Sequence, residues 1–220
     1  MDSRLILLTD WIRTSAANAN GLLVPVSGGS DSALVFHLLN LVYPEKTVGV
    51  FIGQELRARD WFCQTGTVRF LDQLPATTEH SEVERNARFQ CLSLSDNRWL
   101  VGTRNRTENV FGTFSLASRV ATYLPILGVW KTDVMELCKA VGVPDEVTAS
   151  SRRADPNCGR PAQLAEIPLE GVDVFLKVRT GMLNESALSD LTPAQIQYLD
   201  DAYAANRFRT LLPTSGPELS

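Results

Sequence analysis

Short apolar runs alternate with longer stretches of helical period along the first half of the chain. Leu22 to Val26, Lys46 to Ile52, Thr67 to Leu71 and Trp99 to Thr103 have strand length and are bounded by Gly, Pro or polar residues. Asp2 to Ala17 predicts a helix with Leu5, Leu8, Trp11 and Ile12 on one face, ended by Asn18 to Gly21. Ala33 to Leu39 is apolar nearly all round, so a buried helix is expected there, ending near Tyr43-Pro44. Arg57 to Phe62 opens a short helix, and Glu79 to Arg98 has helical periodicity through Val83, Ala87, Cys91 and Leu94. Arg104 to Gly112 opens another helix, and Leu124 to Ile126 reads as a short extended piece. Thr132 to Val141 is a helix stopped by Gly142-Val143-Pro144, and Ala149 to Ala162 is a polar, mobile loop. Leu74 to Thr78 is a loop, Val172 to Val178 and Pro193 to Asn206 are helices, and the tail from Leu211 is expected to fray.

Strands alternating with helices predict an α/β fold: a doubly wound parallel sheet with helices on both faces, as one domain over residues 1–220. Pro25 lacks an N–H for the sheet ladder, so it belongs where its nitrogen points off the sheet. Ligands of such sheets sit at the carboxyl ends of the strands. The turns after Val26 and Val101 both lie there and are expected to face one cleft.

Composition narrows the class. The 44% hydrophobic and 21% charged fractions are those of a soluble globular protein. A net charge of −4 gives no basic field for nucleic acid, and no segment reaches the length of a membrane span. Cys63, Cys91, Cys138 and Cys158 form no Cys-x-x-Cys pair, and His37 and His80 are the only histidines, which disfavours zinc and fits free thiols in a cytoplasm. His37 lies in the apolar helix and is expected to be a core residue.

The chemistry concentrates in Ser27-Gly28-Gly29-Ser30-Asp31-Ser32, between the first strand and its helix. A helix N-terminus offers free N–H groups and the positive end of the macrodipole. The glycines allow close approach of an anion, and the serines add hydroxyl donors, making a phosphate cradle. The Walker lysine is missing. Asp31 stands at the helix mouth instead, and a carboxylate beside phosphates calls for a bridging cation, which suggests Mg²⁺.

Further stretches join it. In Gly102-Thr103-Arg104-Asn105-Arg106-Thr107-Glu108, Thr103 offers a hydroxyl, and Glu108 either holds Mg²⁺ across the cleft from Asp31 or complements its helix dipole. Lys131 falls at a helix start, where a cation is unfavourable unless an anion lies between; otherwise it is a solvated lysine.

Ser27 to Ser32 resembles the PP-loop of the ATP pyrophosphatases, which split ATP between its α- and β-phosphates. With Gly102 to Glu108, Leu124 to Thr132, Leu137 to Pro144, Ala149-Ser150-Ser151 and Glu166-Ile167-Pro168 in that order, the chain resembles ammonia-dependent NAD synthetase from roughly Leu5 to Val178. The resemblance implies that Ser27, Gly28, Gly29, Ser30 and Ser32 cradle pyrophosphate and that Asp31 and Glu108 bind Mg²⁺. It also implies that Thr103 and Lys131 contact ATP phosphates and that Ser150 or Ser151 descends from the closing loop. Adenine would lie near Phe51. Of the family's Asn-x-x-Ala-Arg-x-Arg helix motif only Ala87 and Arg88 remain, and Arg88 is carried over as a binding residue. Its Asp-Gly-x-x-Asp motif is replaced by Ser118 to Thr122.

The implied activity is adenylation of the deamido-NAD carboxylate, followed by amidation with ammonia. Asp31 and Lys131 would carry the chemistry in a cytoplasmic homodimer, with ammonia free or supplied by a separate glutaminase. The alternatives are a PP-loop enzyme acting on another carboxylate, sulfur transfer through Cys158, or a non-catalytic nucleotide binder.

Overall fold

The computed structural model describes residues 2–72, 81–151 and 166–211. Leu74 to Thr78, the loop after Ser151, Cys158 and the tail beyond Leu211 lie outside them. Four parallel strands form the sheet: β1 (Leu22–Pro25), β2 (Thr47–Ile52), β3 (Val68–Leu71) and β4 (Trp99–Leu100), in the order β3-β2-β1-β4. Leu22 lies opposite Thr47 on one side and Trp99 on the other, so β1 is central. The fourth run is shorter than expected. It pairs over two residues, and Val101 then bridges to Tyr123. The extended piece is thus Tyr123, and the chain turns from Leu124, with Leu127 N–H donating to Leu124 O and Val129 N–H to Ile126 O.

That short ladder explains Pro25. The amides of Leu22 and Val26 donate toward β2, to Lys46 O and Val50 O, whereas Leu23 O accepts from Val101 on the β4 side. By the two-residue alternation of a strand, the Pro25 nitrogen points to the β4 side, past the end of that ladder, where no N–H is needed.

The helices are α1 (Ser3–Ser15), α2 (Ser30–Val42), α3 (Arg59–Thr65), α4 (Ser81–Ser95), α5 (Arg106–Phe111), α6 (Lys131–Ala140), α7 (Asp145–Ser150), α8 (Leu169–Arg179) and α9 (Pro193–Thr210). None is long and apolar enough to cross a membrane. Alternation along the strands divides two faces. Leu22, Val24 and Val26 join the core made with α1, α2 and α6, whereas Leu23, Val48, Val50 and Leu100 pack with Phe89 of α4 on the other face. This is the doubly wound arrangement that the alternating pattern predicts. A further apolar cluster, including Phe111, Trp130, Phe175 and Leu199, ties α5, α8 and α9 together.

Two amphipathic faces differ from expectation. In α1 the buried positions are Leu5, Thr9 and Ile12; Trp11 is 43% exposed and stacks on Tyr123 with ring centroids 5.1 Å apart. In α4 the stripe Val83, Ala87, Cys91 and Leu94 faces outward, with Leu94 74% exposed, while Phe89 and Ser93 face the sheet. The bulk of Phe89 fills the space over Val48 and Val50, and that fixes the rotation of the helix. Ala149 and Ser150, expected in a loop, close the short helix α7. His37 is half-buried against Trp61 rather than deep in the core, and burial lowers its pKa.

Gly49 marks where α2 approaches β2 closely. A Cβ there would lie 2.9 Å from the Phe36 ring and 2.9 Å from a Val26 methyl. Gly49→Val is therefore expected to destabilise the protein by about 1–3 kcal/mol through overpacking. Urea unfolding measures it, and an unchanged midpoint would contradict the close packing.

Candidate active site

β1 delivers the chain to α2 through the glycine turn. Gly28 has φ +76°, the left-handed region, and a Cβ there would also lie 3.2 Å from Arg57 Cβ. Gly29 is the N-cap of α2 and has no side chain to occupy the helix mouth. Ser27 and Ser32 brace the turn: their hydroxyls lie 3.1 Å apart, Ser32 donates to Gly29 O at 3.0 Å, and Gly29 N–H donates to Ser27 Oγ at 3.3 Å.

Ser30 and Asp31 face the partners. Ser30 N–H donates to Ser151 Oγ at 3.2 Å, and the two hydroxyls lie 2.7 Å apart. Of the two serines expected to descend on the turn, Ser151 arrives; Ser150 turns away and donates to Val147 O at 2.7 Å. An oxygen of Ser151 thus takes the place an anion takes at a helix N-terminus.

Lys131, the first residue of α6, is buried and donates to Ser30 Oγ at 2.8 Å and to Asp31 Oδ2. It is not a solvated lysine: its side chain is 10% exposed and that of Asp31 18%. Asp31 Oδ1 accepts from Asn105 Nδ2 at 2.8 Å, so both glycine turns meet in one cleft. Asn105 and Glu108 form a reciprocal capping box on α5. Burial, and then the Asp31 carboxylate, push the Glu108 carboxyl up to about 7, against the pull of Lys131, the Asn105 N–H and Arg104. Glu108 therefore caps its helix and also feels Asp31 across the cleft. The two carboxyls beside the glycine turn offer the hard oxygen donors that a divalent cation takes.

Thr103 lies partly buried in the second turn. Phe51 and Arg88 are not brought to this cluster. Phe51 is buried in the core with its ring edge on Phe70, and Arg88, across the sheet on α4, donates to Asp72 O at 2.6 Å. Burial pushes the Cys138 thiol up to about 12, so it is no nucleophile at neutral pH.

Three contributors carried no motif signal. Arg57 donates to Gly28 O at 3.4 Å and places a cation beside the turn. Thr107 accepts the Lys131 N–H at 2.9 Å and donates to Asp173. Asp173 of α8, 1% exposed, also accepts the N–H and hydroxyl of Thr132 at 2.9 and 2.8 Å. One buried carboxylate thus caps α6, locks α5 to it and fixes where the Lys131 stem begins. A lone Asp in an amphipathic helix gives no sign of this, because its partners are more than 40 residues away. Asp173→Ala leaves these buried donors unpaired and is expected to cost roughly 2–4 kcal/mol. A denaturant midpoint equal to wild type would contradict the cap.

The NAD synthase family model matches residues 79–213. The NH3-dependent NAD⁺ synthetase of Methanosarcina acetivorans is 28% identical over 219 residues, covering 83% of this chain and 84% of its own length. That of Carboxydothermus hydrogenoformans is 27% identical over 177 residues, covering 67% and 73%. Among solved structures, an NH3-dependent NAD synthetase from Campylobacter jejuni superposes with a TM-score of 0.77 at 18% identity over 99% of this chain and 100% of its own. An NMN synthetase from Francisella tularensis superposes with a TM-score of 0.77 at 16% identity over 97% of each.

Proposed function

The chain belongs to the NAD synthase family, and we propose that it is an ATP-dependent carbon–nitrogen ligase that adenylates the carboxylate of deamido-NAD and amidates it with ammonia. The observation that carries this is the open mouth of α2, where Ser30, Asp31, Lys131 and Ser151 converge. Bound there, the β- and γ-phosphates of ATP replace the Ser151 oxygen at the Ser30 N–H and draw Lys131 from Asp31. The carboxylate oxygen attacks the α-phosphorus, the α–β bridging bond breaks, and pyrophosphate leaves with the electron pair. Lys131, the amides of the turn and the α2 dipole stabilise the charge that develops on it. Ammonia then attacks the acyl carbon, AMP departs with the former carboxylate oxygen, and nitrogen loses its proton to solvent. No side-chain nucleophile is required.

Asp31 and Glu108 would hold Mg²⁺, which supplies charge neutralisation between phosphates and carboxylates. Thr103 is proposed as a phosphate contact, with Ser27, Gly28, Gly29 and Ser32 shaping the cradle and adenine at the carboxyl end of β2. The whole chain acts as one PP-loop domain. A cytoplasmic homodimer completes the proposal; the outward apolar stripe of α4 supports a partner surface, and ammonia arrives free or from a separate glutaminase.

Incubation with ATP, Mg²⁺, ammonium and deamido-NAD is expected to yield NAD, AMP and pyrophosphate in equal amounts. Lys131→Met is expected to lower kcat by about 10²-fold or more, the usual cost of removing one transition-state charge contact. ADP as product, or a folded Lys131→Met protein of wild-type rate, would contradict the mechanism.

A further inference from the structure

Beside this cleft lies a group of cations that the mechanism above leaves unused. Arg104 follows the second turn and immediately precedes Asn105, which holds Asp31. Its guanidinium lies 3.6 Å from the centre of the Phe114 ring. Arg119 approaches the same ring at 5.8 Å, and Arg209 donates to the Phe114 carbonyl at 3.0 Å. Phe114 thus has three arginines around it in a protein whose net charge is −4.

None of the three is neutralised among the described residues. Arg4, Arg13, Arg69 and Arg179 all form ion pairs. Arg104 instead has neutral partners, Ser118 Oγ at 3.0 Å and Asn109 Oδ1 at 3.4 Å. The Ser118 hydroxyl itself donates to Ser115 O at 2.7 Å. Arg119 is spent on the backbone carbonyls of Arg209 and Leu211, where it clamps the end of α9. Among the described residues the buried Nε atoms of Arg104 and Arg209 have no hydrogen-bond partner. Burial lowers the Arg104 pKa; Glu108 opposes that and Arg119 adds to it. Like charges gathered in a half-buried place are unfavourable unless an anion arrives. Arg104 is the member free to meet one, because its face is fixed on Phe114 and its fork is held only by weak neutral acceptors.

We propose that Arg104, backed by Arg119 and Arg209 around Phe114, is the oxyanion-recognising subsite for the acyl substrate. This rests on the ligase reading, which requires an anionic carboxylate to be held against ATP. The shared chemistry is an oxyanion, either the carboxylate to be activated or a phosphate of the same molecule. A guanidinium fork matches both and removes their repulsion from the ATP phosphates.

Titration calorimetry with deamido-NAD and with NAD separates the sources, because the two ligands differ only in carboxylate against amide. Arg104→Met keeps the apolar stem on Phe114, and Arg104→Lys keeps the charge. Wild type is expected to prefer deamido-NAD by about tenfold or more. Loss of that preference in Arg104→Met, partly restored in Arg104→Lys, assigns the arginine to the carboxylate. Equal weakening of both ligands assigns it to phosphate. Wild-type affinity for both in an Arg104→Met protein of unchanged melting temperature overturns the proposal, as does wild type that binds neither. Turnover is read separately. Arginine-dependent binding without NAD formation contradicts the ligase reading alone, and NAD formation with arginine-independent binding contradicts this subsite alone.

Discussion

The contact between Lys131 and Asp31 at the open N-terminus of α2 is the constraint on which the rest of the site depends. Both side chains are largely withdrawn from water, so removing either strands the other charge in a place that cannot solvate it. The fold is arranged to bring them together. β1 carries Asp31 to the carboxyl edge of the sheet, and β4 carries Asn105 to the same edge. Asp173 then pins the start of α6 so that the Lys131 stem reaches across. The helix dipole of α2 favours an anion at its mouth; the Asp31 carboxylate supplies the negative charge there, and the neutral Ser151 hydroxyl accepts the Ser30 N–H. In the proposed reaction ATP enters by exchange, its phosphate oxygens replacing protein oxygens at donors already aimed.

Much of this was legible in the sequence because it depends on short-range chemistry. The strand, glycine turn and buried helix around Gly28 follow from apolar runs and a left-handed backbone that only glycine adopts easily. Lys131 announced itself as a cation against a helix dipole, and the structure supplies the anion that resolves the conflict. The PP-loop and the ordered motifs after it named the family in advance.

What was not legible depends on tertiary partners. Periodicity found an apolar stripe on α4 but not its direction, because the stripe Val83–Leu94 and the position Phe89 compete for one sheet face, and the larger ring takes it. Spacing places Trp11 with the core, yet its ring is held by Tyr123 at the surface. Phe51, near the carboxyl end of β2, follows strand alternation into the core. Asp173, Thr107 and Arg57 act on residues distant in sequence, so no local pattern marks them. The loss of charge at Ser118 is visible as a departure from the family pattern, whereas Arg104 stands at an open position of its motif, and its meaning needed the crowding of arginines on Phe114.

In the proposed reaction this cleft breaks ATP beside the α-phosphorus by attack of a substrate carboxylate. Deamido-NAD labelled with ¹⁸O in both carboxylate oxygens tests it most directly, with products read by mass spectrometry. One labelled oxygen is expected in the phosphate of each AMP formed and one in the amide of NAD. AMP without label, or label in pyrophosphate, would contradict it.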